Sequence, residues 1–261
     1  MNQETYNQLP GLNNSGMKWL EKSPAHYKAW RDGLFEQSSP ALTLGIAIHC
    51  AILEPARFAS EYLALPDTSH LATPGKKAAA TKAAKKEYAD SGKSLLSHQD
   101  YNTVTRIWEA VMAHPYARYL VEESEPEVVH QWTDEDSGAL CKGRTDLIMP
   151  KQGIISDIKS AEDASPEGFS MSIARYQLHR QAAFYRDGCK AQQFNFIVVE
   201  KVPPYGVMVY NVPDYVIDIG RKLYKPLSHL YQRCLDSNEW PSYSQDVTSV
   251  NLPAWAIPDA A

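Results

Sequence analysis

The chain has 261 residues, which is enough for one large domain or two small ones. Its 26 basic and 31 acidic residues give a net charge of −5, which excludes a uniformly basic nucleic-acid coat but allows a local basic surface. A hydrophobic content of 44% excludes a disordered chain, and no apolar run approaches the roughly 20 residues that a membrane span needs.

The cysteines and the first residues indicate the cellular environment. The four cysteines are scattered without a CxxC pair, so the sequence offers neither a zinc knuckle nor a disulfide scaffold. Residues 1–16 contain neither the basic nor the apolar region of a secretory signal. We therefore expect a cytoplasmic protein without a membrane segment.

Two patterns predict helices near the start of the chain. A short helix through Met17, Trp19 and Leu20 is expected to be capped by Asn14 or Ser15 and to end near residues 23–24. A buried helix is expected over residues 41–54, closed by a proline, because apolar side chains recur there every three to four positions. These side chains are Leu42, Ile46, Cys50 and Leu53. Gly45 indicates either close packing against a neighbour or a tolerated weak position.

Residues 74–93 carry six lysines and two acidic residues, a net charge of +4, and almost no large apolar side chains. They predict an exposed helix or loop, by default a solvated surface. The alternative is a DNA-contacting lid. The lysines assigned to DNA contact are Lys76, Lys77, Lys85 and Lys86. An amphipathic helix is expected over residues 99–123, interrupted or ended by Pro115.

From residue 125 the pattern changes to strands. Residues 125–132, 140–149 and 154–159 predict a three-stranded meander with short turns. A helix over 170–187, strands over 194–200 and 206–212, and a helix over 214–235 follow. The fold class is therefore α/β or α+β, with a central mixed β-sheet flanked by helices. We expect one domain over 1–261, with a helical part (1–123), a sheet core (124–235) and a tail (236–261).

Two aspartates and a lysine converge in the predicted meander. Asp157 and Lys159 share one face of their strand because side chains alternate, and the hairpin can return Asp146 to lie beside Asp157. The neighbouring residues are apolar, and burying charges there is costly unless they pair or bind a metal ion. Carboxylate oxygens of this kind suit Mg²⁺ or Mn²⁺.

Phosphodiester hydrolysis needs such a set of groups. The carboxylates would hold one or two cations that activate a water and stabilise charge on the phosphate. Lys159 would orient or deprotonate that water, or neutralise the developing charge. The alternative is a salt-bridged hairpin in which Lys159 pairs with Asp157 or Asp146.

Several other side chains are candidates for this site. Gln181 and Tyr185 are four residues apart on one helix face, where they could contact a DNA phosphate, position the hairpin or form a plain polar surface. His49 is either a hydrogen-bonded core residue or an additional metal ligand, and Glu125 and Glu127 compete for that ligand role.

The positive charges near the hairpin are candidates for a basic rim around the metal site. Lys142, Arg144 and Arg175 form this set, and Arg144 and Arg175 are assigned to DNA contact. The sequence contains no GxGxxG or Walker A loop, so it does not support the use of ATP or NAD.

These motifs, taken in order, resemble a known superfamily. The segments GRTD (143–146) and IISDIK (154–159), with Gln181 and Tyr185, resemble the PD-(D/E)xK nucleases and more closely their RecB-like exonuclease branch. Five further segments resemble RecE-type exonucleases, also called exonuclease VIII. They are NSGM (14–17), SPAHY (23–27), LGIAIH (44–49), LEP (53–55) and LPAWA (252–256).

The resemblance implies a PD-(D/E)xK nuclease-like core and a specific activity. RecE-type enzymes degrade linear double-stranded DNA from 5′ ends with Mg²⁺ and without ATP. They leave 3′ single-stranded tails for a RecT-like annealing protein, and they form ring-like homotetramers. Such proteins are longer, so the chain would correspond to their C-terminal nuclease domain.

The resemblance also implies roles for individual residues. Asp146 and Asp157 would be metal ligands, with the Ile158 carbonyl as a third, and Lys159 would be the catalytic lysine. His49 matches the helix histidine of RecB-like nucleases, where many relatives in the superfamily have a glutamate. Gln181 and Tyr185 match the QxxxY motif.

Other hypotheses stay open on the sequence. One is an endonuclease or single-strand nuclease with the same site, which closed-circular DNA would distinguish. Another is a non-catalytic DNA-binding or assembly module on a decayed nuclease fold, against which the intact Asp146, Asp157 and Lys159 argue. A small-molecule hydrolase is the third, and the exposed lysines weakly disfavour it.

Overall fold

The computed structural model describes residues 3–35, 40–244 and 246–253. The end of the expected tail, including the last three residues of LPAWA, lies outside the described residues, as does the side chain of Leu42. Within the described ranges, no helix is both long and apolar enough to cross a membrane.

The secondary structure alternates short helical segments with two sheets. The helices are α1 (Gln3–Gln8), α2 (Asn14–Leu20), α3 (Pro24–Arg31), α4 (Pro40–Leu53), α5 (Pro55–Glu61), α6 (Pro74–Glu87), α7 (His98–Ala113), α8 (Pro115–Glu123), α9 (Pro166–Arg175), α10 (Leu178–Gly188) and α11 (Asp214–Ser237), with a 3₁₀ turn at Ala89–Ser91. The strands are β1 (Tyr62–Ala64), β2 (Ser94–Leu96), β3 (Glu125–Thr133), β4 (Leu140–Met149), β5 (Ile154–Ala161), β6 (Gln193–Glu200) and β7 (Val207–Asn211).

The main sheet has the strand order β3-β4-β5-β6-β7. Neighbouring strands are antiparallel except β5 and β6, which are parallel and are joined through α9 and α10. Helices α10, α11 and α2 cover one face, and α4, α7 and α8 cover the other. The predicted fold class, a mixed sheet flanked by helices, is therefore confirmed.

Alternation along the central strands supplies a core to each face of the sheet. Ile155 and Phe194 pack in the cluster under α10 and α11, whereas Ile158 and Ile197 pack in the cluster under α4 and α7. All four side chains are fully buried. The centre of the sheet is thus shielded from water on both sides, which makes any charge placed there costly.

Prolines set many of the helix boundaries. Six of the described helices begin at a proline, a position where the missing N–H costs no hydrogen bond. The sequence interpretation treated Pro55 and Pro115 mainly as helix ends. Each proline in fact also starts the next helix. The chain therefore continues as a second helix, α5 after Leu53 and α8 after Ala113, and not as an irregular loop.

Three details of the helix predictions are wrong, and the structure bears on the open alternative at Gly45. The cap of α2 is Asn13, whose side chain accepts a hydrogen bond from the Gly16 N–H at 2.8 Å. Ile46 is 55% exposed, so the buried face of α4 is rotated from the expected one. A Cβ on Gly45 would meet no atom of the described residues within 4 Å, which favours the tolerated weak position. The expected helix over 170–187 is two helices, separated by Gln177 in the left-handed conformation (φ 52°).

A buried lysine attaches the N-terminal segment to the main sheet. Lys142 on β4 is 5% exposed, and its ammonium donates to the carbonyls of Tyr6, Asn7 and Leu9 at 3.0, 3.2 and 2.7 Å. Burial lowers the pKa of Lys142. Its expected place in a basic rim is therefore wrong, because three backbone carbonyls at the end of α1 already use its donors.

Replacing Lys142 with Met keeps the aliphatic chain but leaves those carbonyls without their donor. We expect the free energy of unfolding to fall by about 2–4 kcal/mol. Urea denaturation followed by circular dichroism measures this, with the exposed Lys151→Met as the matched control. Equal stability of the two variants would contradict the anchoring role of Lys142.

Candidate active site

The site lies where β4 and β5 separate. Their backbone pairing runs from Met149–Ile154 to Leu147–Ser156 and stops there. One residue further along β4, the Asp146 carboxylate accepts a hydrogen bond from the Ile158 N–H at 2.8 Å. A side chain thus replaces the backbone acceptor that the diverging strand no longer offers, and it fixes Asp146 beside β5.

Asp157 is the most deeply buried charge of the site. Its side chain is 2% exposed, and Gln181 donates from Nε2 to Oδ1 at 2.6 Å. The Lys159 ammonium contacts the other oxygen, Oδ2. Burial raises the pKa of Asp157 to about 6, against the lowering effect of Lys159, and the nearby Asp146 adds to the rise.

Lys159 connects this buried carboxylate to the solvent. It lies on the same strand face as Asp157, as the alternation predicted, but 24% of its side chain is exposed. Its ammonium also lies 6.0 Å from the centre of the Phe196 ring. One side of the ammonium therefore neutralises Asp157 while the group stays within reach of a molecule arriving from outside.

His49 reaches the site from α4. Its Nδ1 lies 3.4 Å from Asp146 Oδ2, and the two side chains are 32% and 16% exposed. The core interpretation of His49 is therefore wrong. The imidazole and the carboxylate present nitrogen and oxygen atoms at the same partly open position.

Glu127 lies next to Asp146 at the site, whereas Glu125 lies two residues further along β3, away from Asp146. The pairings of β3 with β4 on either side make Glu127 the residue opposite Asp146, and its φ of 55° marks a local distortion of β3. Its Oε2 lies 2.8 Å from Arg144 Nε. Burial raises the pKa of Glu127, against the effect of Arg144. Glu125 is exposed and pairs with Ile148.

Tyr185 packs against β4, the strand that carries Asp146. It is 9% exposed, and its ring is so close to Gly143 that a Cβ there would lie 2.7 Å from the ring carbon Cε1. Burial raises the pKa of Tyr185 well above its usual value. The glycine therefore lets the Tyr185 ring pack against β4 three residues before Asp146, where it supports the strand.

Sequence reasoning missed Arg180, the residue next to Gln181. Arg180 is 5% exposed and binds Asn14, Glu21 and Gln177 through its guanidinium, which ties the start of α10 to α2. No sequence motif identified it, because its partners Asn14 and Glu21 lie more than 150 residues before it in the chain. Its ties set the place of α10 and hence of the Gln181 amide.

The predicted DNA-contacting residues lie in three places. Arg144 lies on β4 beside the site and pairs with Glu127. Arg175 ends α9 in an exposed position, with its guanidinium 5.5 Å from the centre of the Tyr176 ring. The four assigned lysines are exposed on α6, which packs mainly against the 3₁₀ turn that follows it.

The donor set fits a hard divalent cation. Asp157 Oδ2 is buried and has no hydrogen-bond donor other than its ion-pair partner Lys159 among the described residues. The Ile158 carbonyl points to the same side of β5 as its N–H, toward Asp146. In the described part of the chain no three acidic, histidine or cysteine side chains form a ready cluster. Mg²⁺ needs only one or two carboxylates when water and phosphate complete its shell.

Comparisons with known proteins agree with this architecture. A family described as "PDDEXK-like domain of unknown function (DUF3799)" matches residues 13–253. This chain is similar to the crystal structure of a candidate exonuclease from Eubacterium rectale, with a TM-score of 0.59 and 13% sequence identity. The match covers 97% of this chain and 93% of the Eubacterium rectale chain. That likeness shows a shared fold.

A second crystal structure, of a phage-related exonuclease from Haemophilus somnus 129PT, matches 80% of this chain and 99% of its own. Its TM-score of 0.36 at 12% identity is too low to support an argument. No curated protein sequence matches the chain.

If Gln181 holds the Asp157 carboxylate for a cation, Gln181→Met should weaken cation binding. We expect the affinity for Mn²⁺ to fall about 10- to 100-fold, the usual effect of removing a group that orients a ligand. Isothermal titration with Mn²⁺ measures it, and circular dichroism checks the fold. Gln232→Met, which removes a surface hydrogen bond to Asp236 on α11, is the matched control. Equal Mn²⁺ affinity in both variants would contradict this role.

Proposed function

The chain belongs to the family of PDDEXK-like domains designated DUF3799, and on that premise we propose that it is a metal-dependent nuclease that cleaves DNA. The observation that supports this most is the pair of carboxylates, Asp146 and Asp157, at the separation of β4 and β5, with Lys159 beside the buried one. Holding two carboxylates together in apolar surroundings opposes folding unless cations compensate. A metal-dependent nuclease needs such paired carboxylates, because they hold the cation that activates water.

The more specific proposal is a Mg²⁺-dependent, ATP-independent 5′→3′ exonuclease on linear double-stranded DNA. It would release 5′-mononucleotides and leave 3′ single-stranded tails, and Mn²⁺ would replace Mg²⁺. The support is the resemblance of the GRTD, DIK and QxxxY segments, with the N-terminal segments, to RecE-type exonucleases. The shared fold with the Eubacterium rectale protein, itself named as a candidate exonuclease, is compatible with it.

The cation would be held by Asp146, Asp157 and the Ile158 carbonyl, with His49 as a further donor. When bound, it would activate a water and offset negative charge on the scissile phosphate. The proposed reaction is in-line attack of a water oxygen on phosphorus, with cleavage of the bond to the 3′ oxygen, which leaves a 5′ phosphate and a 3′ hydroxyl.

The side chains of the chain have separate tasks in this proposal. Lys159 would orient the attacking water or offset the charge that develops on the phosphate, because its ammonium stays partly exposed while bound to Asp157. Gln181 keeps Asp157 in one orientation through its bond to Oδ1. Tyr185 supports β4 and with it Asp146, and so contributes by positioning.

The proposal also includes partners. A RecT-like annealing protein would use the 3′ tails, and a ring-like homotetramer would enclose the DNA in a cytoplasmic setting. These assignments rest on the same resemblance to RecE-type enzymes. The two alternatives kept beside them are an endonuclease with the same site and a non-catalytic DNA-binding or assembly module.

The direction of the proposed digestion can be tested on end-labelled DNA. On linear duplex DNA labelled at one end, we expect early release of the 5′ label as a mononucleotide with Mg²⁺, no release with EDTA, and no cleavage of closed circles. Cleaved circles would instead support the endonuclease. No release under any condition, with Mn²⁺ included, would support the non-catalytic module.

A second prediction assigns that activity to the site. Asp157→Asn keeps the size of the side chain and an acceptor for Gln181 but removes the negative charge. We expect cleavage to fall by at least about two to three orders of magnitude, because the cation loses a ligand. Gel assays with Asp136→Asn, a surface carboxylate paired with Lys225, as the control measure this. Digestion at the wild-type rate by Asp157→Asn would refute the site assignment.

A third prediction separates chemistry from binding. Lys159→Met should lower kcat by about 100-fold or more while the Kd for DNA in EDTA stays within about threefold. Lys159→Arg, which keeps a positive partner for Asp157, controls for misfolding and should retain the wild-type melting temperature. An unchanged kcat in Lys159→Met would mean that the lysine only balances the charge of Asp157.

A further inference from the structure

Helix α6 differs from the usual helix that connects two parallel strands. β1 and β2 are parallel, with Tyr62 opposite Ser94, and α6 lies in the connection between them. Such a crossover helix normally covers its sheet with an apolar face. Of the fourteen residues of α6, only Ala84 is buried. The helix therefore contributes little to a core and presents almost its entire surface to solvent.

That surface is positively charged on all sides. The helix carries five exposed lysines, Lys76, Lys77, Lys82, Lys85 and Lys86. At about 100° per residue, the largest angular gap between neighbouring lysines around the helix is about 100°. Among the described residues no carboxylate forms an ion pair with any of the five.

The charge pattern opposes helix stability instead of supporting it. Lysines three and four residues apart, such as Lys82 with Lys85 and Lys86, repel each other. The five alanines, the cap at Thr73 and Pro74 at the first position offset this and keep the segment helical. A local cost without a gain in packing is typical of a segment kept for binding.

We propose that α6 is an arm that binds the phosphate backbones of duplex DNA on both sides of a groove. An α-helix fits the major groove, whose two walls are phosphate backbones, and lysines around the whole circumference can reach both walls. Contacts to phosphates carry no sequence information, so the proposed binding is independent of sequence. This inference rests on the proposed function, of which it specifies the substrate contact.

Other polyanions fit α6 less well. An anionic membrane surface binds helices that have a large apolar face to insert, and the apolar side chains of α6 are alanines and one proline. A single DNA strand offers one row of phosphates, which reaches only about half of the lysines at once. The arm therefore favours duplex over single-stranded DNA.

The test compares the salt dependence of DNA binding in EDTA, where no cleavage occurs. One variant changes Lys76, Lys77, Lys82, Lys85 and Lys86 to Gln. The matched control changes five solvent-accessible lysines elsewhere to Gln and alters the net charge equally; they are Lys151, Lys190, Lys201, Lys222 and Lys225. Fluorescence anisotropy with a labelled blunt duplex and a single strand of equal length gives the affinity at several KCl concentrations.

We expect the plot of log affinity against log salt concentration to become shallower for duplex DNA in the α6 variant. The slope should change by roughly 3–4, close to 0.9 for each lost phosphate contact, and by about half as much on the single strand. The control should keep the wild-type slope. An unchanged duplex slope, an equal change on both DNAs, or an equal change in the control would overturn the inference.

Two further readouts distinguish DNA binding by α6 from membrane binding and from the proposed nuclease function. Lysine-dependent binding of the wild-type protein to phosphatidylserine vesicles, without an effect on DNA, would assign α6 to a membrane surface and overturn the proposal. Because the assay needs no cleavage, an inactive protein with α6-dependent duplex binding would refute only the nuclease function. An active nuclease with an unchanged duplex slope would refute only the role of α6.

Discussion

The burial of the Asp157 carboxylate is the constraint on which the rest of the site depends. A negative charge with 2% exposure in the middle of a sheet that is shielded on both faces is strongly unfavourable alone. Two elements compensate it, Lys159 on its own strand and the Gln181 amide from α10. Helix α10 is in turn held in place by the buried Arg180 and its partners Asn14 and Glu21. The compensation therefore links β5 to the packing of distant helices.

The separation of β4 from β5 is the second structural condition. A continuous ladder would occupy the edge at Ile158 with backbone groups and leave no space between the strands. Asp146 takes over the Ile158 N–H and so lets the strands diverge without an unsatisfied donor. His49 from α4 approaches Asp146 there, and Glu127 lies opposite Asp146 on β3. Four separate elements thus contribute side chains to a region that one hydrogen bond keeps open.

The charges of the protein are separated in space, which reconciles a net charge of −5 with the proposed action on a polyanion. Asp157 and Glu127 are paired with Lys159 and Arg144, which screens part of the negative charge of the site. The lysines of α6 form the complementary positive region on a helix that packs little against the core. In this arrangement α6 would supply affinity for phosphates, and the carboxylates would supply chemistry.

The meander over residues 125–159 and the shared face of Asp157 and Lys159 could be predicted from the sequence, because strand alternation and tight turns are local properties. The predicted exposure of residues 74–93 is likewise a matter of composition. The tertiary structure decided the rest. It buried Lys142, exposed Ile46, placed the Gln181 amide on Asp157 and brought His49 within 3.4 Å of Asp146. These outcomes join residues up to 136 positions apart, and they depend on how helices rotate and pack against the sheet, which local spacing does not encode.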